Sequence, residues 1–195
     1  MCWFKRFKIK KILKNLKVMQ QYRMLNQPTD LVLRKEIALY HQLAALYESL
    51  QGNKKFPFAR EQKLACYRAA SALNDAAAQY LLGKNLLDEA KARDALQRGE
   101  IFANQSNERY MKELYEDAHA FLTSAEALQH IQAKRLHGLC YINGWGVPID
   151  KSKGFDLIVA SIEQENSWDR VQKVFASIGI NQPAFFSELF QHRNK

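Results

Sequence analysis

The sequence predicts an all-α protein, an α/α solenoid (superhelix) of about three helix hairpins closed by terminal capping helices. Three observations carry this. Ala, Leu, Lys, Gln and Glu fill long tracts while Gly and Pro number only 8 and 4, so helix propensity is favourable almost throughout. Apolar residues recur at three and four, and the Val-, Ile- and Thr-rich alternation of a strand is missing. The stretch from Ala133 to Ile158, AKRLHGLCYINGWGVPIDKSKGFDLI, reads as a helix, a loop and a second helix. In it Leu136, Leu139 and Cys140 share a face, Gly144 and Gly146 permit positive φ, Pro148 stops continuation, and Asp150 can cap the next helix.

With 195 residues, 47% hydrophobic and 25% charged, the chain is long enough for one core or one short repeat array. Its net charge of +9 is concentrated: Lys5, Arg6, Lys8, Lys10, Lys11, Lys14, Lys17 and Arg23 all precede the first acid, Asp30, and the remainder is nearly neutral. The basicity is therefore that of one arm, which argues against a nucleic-acid partner. Cys2, Cys66 and Cys140 form an odd set without paired-thiol spacing, which suggests neither a disulfide framework nor a zinc knuckle and fits a cytoplasmic setting. No apolar run approaches the ~18 residues of a membrane span, and lysines interrupt the apolar stretch that a secretory leader needs.

Residues 1–25 are expected to form a basic amphipathic helix with Ile9, Ile12, Leu13, Leu16 and Met19 in one stripe. Two readings of it stand side by side. The helix can adsorb to an anionic membrane or a partner, with Trp3 and Phe4 at the interface, Lys5, Arg6, Lys8, Lys10, Lys11, Lys14 and Lys17 on the charged surface, and Cys2 open to acylation. Alternatively the stripe docks on the body as a capping helix, its lysines in water.

Residues 29–180 are expected to be the repeat domain. After the break at Asn26–Asp30, Thr29 or Asp30 can cap a helix to about Gln51 with Leu33, Ile37, Tyr40, Leu43, Ala44 and Tyr47 inward. Gly52 and Pro57 frame a loop, a helix runs from about Ala59 to Leu73, and Asn74-Asp75 caps the next. From Asp75 the pattern is an extended or broken helix, with an insertion near 88–104. Asn104–Asn107 is a further cap, and the helix from Glu108 to Leu122 buries Met111, Leu114, Tyr115, Ala118 and Phe121. Thr123-Ser124-Ala125-Glu126 has the form of a capping box that restarts a helix. Beyond the hairpin loop, Gly154 to about Glu163 is helical, Ser167 caps a short helix that Gly179 ends, and residues 181–195 supply a short helix after Pro183 and a tail.

Leu46 and Gly83 are 37 residues apart, close to the ~34 of a tetratricopeptide repeat, whereas Gly83 and Gly138 are 55 apart. YINGWGVPID, together with Ala133, Gly138 and Lys153, resembles a Sel-one-like repeat, a tetratricopeptide-like helix pair. AAQYLLG at Ala77–Gly83, and Lys63 with CYRAA at Cys66–Ala70, are partial matches, and the resemblance covers about residues 40 to 180. His137 departs from the expected Leu and Gly154 from the expected Ala; the first copy has lost its Gly-Val loop and the second has an insertion in its place, so the array is degenerate. The resemblance implies an α/α solenoid that scaffolds protein complexes, without catalytic residues. Glycine inside a helix costs about 1 kcal/mol against alanine, so Gly83 and Gly138 should mark close helix approach, opposite small residues such as Ala69, Ala70, Ala160 and Ser161.

Other constellations carry less. His137, Cys140 and His130 can be drawn as metal ligands but lack a ligand quartet. Glu113, Glu116 and Asp117 read as a solvated acidic face. Cys66 and Cys140 suit a core, and GWG lies between helices, where no nucleotide loop is built. Tyr141 and Trp145 are the aromatic candidates for a protein-partner contact. The expectation is a non-enzymatic protein-protein adaptor or scaffold, without cofactor or metal, located in the cytoplasm and tethered to a membrane surface if the basic helix serves that end. The alternative is a peripheral membrane protein in which that helix is primary.

Overall fold

The structure, a computed structural model, describes residues 2–25, 28–99 and 104–194. Among them are nine α-helices, one 3₁₀ turn and no strand. The helices are α1 (Cys2–Leu25), α2 (Asp30–Glu48), α3 (Ala59–Ser71), α4 (Ala76–Arg98), α5 (Gln105–Ala127), α6 (Ile131–Asn143), α7 (Lys151–Glu165), α8 (Val171–Ala176) and α9 (Pro183–Arg193), with the 3₁₀ turn at Trp168–Arg170. Sequence-adjacent helices pack on one another, so the class is the all-α helix-hairpin architecture expected. Two compact units are formed, Met1–Leu82 and Gly83–Lys195, and the division falls inside α4.

In the first unit the amphipathic stripe of α1 is buried against α2. Ile9 and Leu16 join Tyr40, Leu43, Ala44 and Tyr47 of α2, Cys66 and Ala70 of α3 and Ala78 of α4 in one core, and Ile12 packs on it. Leu13, counted in that stripe by its spacing, stays exposed. Polar ties fix the docking: Lys5 Nζ donates to Ser49 O at 3.1 Å and Oγ at 3.0 Å, Gln20 Nε2 to Tyr40 OH at 2.7 Å, and Arg23 Nε to Glu36 Oε2 at 2.9 Å. The Glu36 side chain is fully buried. Of the two readings of the stripe, docking on the body is the one realised, since a face packed on α2 is not free for a bilayer. The Cys2 side chain lies outside the described residues.

Asp75 caps α4, its Oδ2 accepting from Ala78 N at 2.8 Å. The tract from Asp88 onward continues the same helix to Arg98, held by the i,i+4 ion pairs Lys84–Asp88, Glu89–Arg93 and Asp94–Arg98 spaced around it. It is an extension and not a break; residues 100–103 of the tract, like Asn26 and Gln27 of the preceding one, lie outside the described residues. In the second unit Leu86, Leu87 and Ala90 of α4 meet Leu114 and Ala118 of α5. Residues 135–140 of α6 are all buried, Leu136, Leu139 and Cys140 of the expected face among them, so α6 is packed on several sides.

Three local expectations are corrected. The Thr123–Glu126 box starts no helix: α5 runs through it, with Thr123 Oγ1 donating to His119 O at 2.9 Å and Ser124 Oγ to Ala120 O at 3.0 Å. Such back-bonding satisfies a hydroxyl inside a helix. The true start is at His130, whose Nδ1 accepts from Ala133 N at 3.2 Å. Ser167 makes no side-chain cap either; its Oγ donates to Glu165 Oε2 at 3.0 Å. The small residues proposed opposite the helical glycines are also the wrong ones. A Cβ on Gly83 would meet Leu122 and Ala118 O of α5, and one on Gly138 would meet Gly154 O at 2.6 Å. Gly154, which the repeat pattern treats as a departure, is thus the partner of Gly138 in the α6–α7 crossing.

Candidate functional site

Three surfaces gather the residues singled out by the sequence. The first is α1. Trp3, Phe4 and Phe7 are exposed, Trp3 to 78%, and Trp3 stacks on Phe7 with centroids 6.3 Å apart. Beside them lies an open groove of about 740 Å³ whose other wall is the segment before α3, with Phe56, Pro57 and Phe58. Arg6 sits over the Phe56 ring at 5.3 Å, Lys8 over Phe4 at 4.8 Å, and Lys10 and Lys55 line the rim. Lys11, Lys14 and Lys17 are exposed further along the helix.

The second surface is the α6–α7 loop. Gly144 ends α6 in the left-handed region at φ 72°, and Asp150 Oδ1 starts α7 by accepting from Lys153 N at 3.0 Å. Gly146, also at positive φ, lies so near α5 that a Cβ would collide with the backbone of Tyr115 and Glu116. Trp145 is half-buried, parallel to the Tyr115 ring at 6.3 Å, with Lys91 Nζ 4.0 Å above it. Burial lowers the Lys91 pKa and pushes the Tyr115 hydroxyl up to about 12, helped there by Asp94. The loop lines two grooves, one of about 750 Å³ against α5 and one of about 430 Å³ against α9, while Pro148 and Ile149 project outward, Ile149 67% exposed. Ala133 is fully buried in the core of the same hairpin.

The third is a polar cluster where α5 meets α6. His137 is buried, its Nδ1 paired with the Glu126 carboxylate. Its Nε2 faces His119 Nε2 at 3.0 Å and Thr123 Oγ1 at 3.2 Å. Tyr141 stands edge-on to His119 and accepts from Lys153 Nζ at 2.7 Å. Burial, the His137 ring and Lys153 all lower the His119 pKa. Tyr141 therefore belongs to this cluster and not with Trp145. His130 is used as a cap, and Cys140 is buried with its thiol pushed up to about 12 by desolvation, so the three residues drawn as ligands do different jobs. Among the described residues no group of three or more His, Cys, Asp or Glu is placed to hold a metal. Glu113, Glu116 and Asp117 are exposed, as a solvated face should be.

Sequence reasoning missed the buried charges. Glu36 with Arg23, Arg135 with Glu165 at 2.7 Å, and Lys63 with Glu48 join neighbouring helices. Glu36 lies four residues before the inward Tyr40, and that spacing is the signal that was available. It also missed Phe56 and Phe58, whose proximity to α1 no local pattern encodes. Searches against protein-family models, curated proteins and solved structures find no match to this chain. No described helix is long and apolar enough to cross a membrane.

Proposed function

We propose that the chain is a non-enzymatic adaptor, a cytoplasmic helical-repeat module of the Sel-one-like kind, that holds a protein partner at the loop end of its second unit. The observation supporting this reading is the loop. Caps fix it at both ends, Gly146 sets it against the α5 backbone, and it still presents Pro148 and Ile149 to solvent beside two grooves. A preordered loop loses little conformational entropy when a partner closes on it, and apolar anchors next to aromatic ones are what interface centres use. The groups that chemistry would need are taken up in helix joining: Glu126 holds His137, Glu165 holds Arg135, and the Cys66 and Cys140 thiols are pushed up by burial to about 11 and about 12. A photo-crosslinking side chain at position 149 should capture a defined protein in cells, and one at the exposed Asp169 should not. Ile149→Asp should cut recovery of that protein at least tenfold without moving the melting temperature. Equal recovery, or turnover of a substrate by the purified chain, would overturn the reading.

A further inference from the structure

α1 is apolar on two sides. Among the described residues, eight of the fifteen exposed large hydrophobic side chains lie on this one helix. At about 100° per residue, Phe4, Phe7, Lys11, Lys14, Val18 and Leu25 fall within an arc of about 80°, on the far side from the docked Ile9, Ile12 and Leu16. Phe4, Phe7, Val18 and Leu25 are 57%, 58%, 51% and 83% exposed. The outward face is therefore apolar at both ends and cationic in the middle, with Trp3 at its aromatic end. Lys8 lies along one margin and Lys10 and Lys17 along the other. The helix has no acidic residue, so nothing on it neutralises these charges; Lys5 is tied to Ser49 at the end of α2 and Arg23 to Glu36.

We propose that this outward face lies on an anionic lipid bilayer, with α1 parallel to the surface, its aromatic end and Val18 and Leu25 seated at the headgroup boundary and its lysines among the phosphates. The reading is independent of the partner assigned to the α6–α7 loop, because it concerns a different surface of a different unit. Two arguments select the occupant. A second copy pairing in parallel through this face would set Lys11 and Lys14 against the same residues of its partner, and an antiparallel copy would bring the Lys14 side chains of both together at the centre of the face, where like charges repel. A convex helix flanked by lysines on both margins suits a flat anionic surface, where aromatic residues settle at the interface and each cation adds attraction.

Co-sedimentation of the full chain with vesicles of phosphatidylcholine containing phosphatidylserine, against phosphatidylcholine alone, tests this. Binding should require the anionic lipid and weaken with salt. Lys11→Gln with Lys14→Gln should lower partitioning roughly 25-fold, about fivefold per cation, and Trp3→Ser with Phe4→Ser at least tenfold. Removing two cations elsewhere, Lys173→Gln and Arg193→Gln, should change it little. Brominated lipid should quench tryptophan fluorescence of the unaltered chain, where Trp3 stands exposed on this face and Trp145 and Trp168 are half-buried in the other unit, a readout that does not depend on any variant folding. Vesicle binding indifferent to the α1 substitutions, or none at all, would overturn the proposal. So would binding of poly-glutamate through the same lysines in preference to vesicles, or a dimer in sedimentation equilibrium that Phe4→Ser dissociates.

Discussion

Replacing Gly138 by alanine sets two effects of opposite sign against each other. On intrinsic propensity, alanine in the middle of α6 gains about 1 kcal/mol over glycine. The added methyl would stand 2.6 Å from Gly154 O, 2.8 Å from Ile158 Cγ1 and 3.3 Å from Leu157 Cβ, all on α7. The nearest obstacle is backbone, so no rotamer change relieves it and the two helices must part by several tenths of an ångström. Overpacking of this kind costs about 1 to 3 kcal/mol, and contact with a backbone atom places it near the upper end. The net expectation is a loss of about 2 kcal/mol, or about 4 to 8 °C in Tm for a chain of this size. Circular dichroism melts and urea titrations of the full chain measure it. A melting temperature equal to or above that of the parent would refute the reasoning, for it would mean that propensity alone governs the site and that the α6–α7 crossing has room to spare.

Two further outcomes follow from the site geometry. His119 titrates below its ordinary value of 6.5 because of burial, the His137 ring and Lys153; the unfolded chain therefore takes up that proton first, so its contribution to stability is complete above about pH 6.5 and declines as pH falls through the lowered value. Melting between pH 7.5 and 5.5 should show the decline, His119→Gln should flatten it, and equal slopes for the two proteins would remove His119 as the source. Replacing Ser124 by alanine should leave stability within about 0.5 kcal/mol because its hydroxyl only back-bonds within α5, whereas His130→Ala should cost about 1 kcal/mol as the loss of a cap; the reverse order would restore the capping-box reading.

What was legible from the residues was local. Helix content, the loop chemistry of Gly144 and Asp150, the cap at Asp75 and the terminal helix behind Pro183 follow from short-range rules that act within a turn or two of chain. The capping box misled because Ser/Thr-x-x-Glu satisfies the rule equally well inside a helix; what decides is that Glu126 is drawn to His137, eleven residues on, and the motif carries no mark of that. Gly154 looked like wear in a repeat because its reason lies on another helix. The stripe of α1 was read correctly as apolar, but spacing alone does not tell a protein surface from a lipid one, and the outward face escaped notice because Lys11 and Lys14 interrupt it.

The ion pairs Arg23–Glu36, Lys63–Glu48 and Arg135–Glu165 each cross from one helix to a neighbour, and in each at least one side chain is almost wholly removed from water. In a chain made of similar helices, apolar faces are nearly interchangeable, since leucine and alanine pack acceptably against many partners. A carboxylate such as Glu36 is less forgiving: beside any helix that offers no cation at that height it is stranded, at a cost of several kcal/mol. The charges therefore act as a password between helices, rejecting wrong neighbours during folding more than they add to the strength of the right ones.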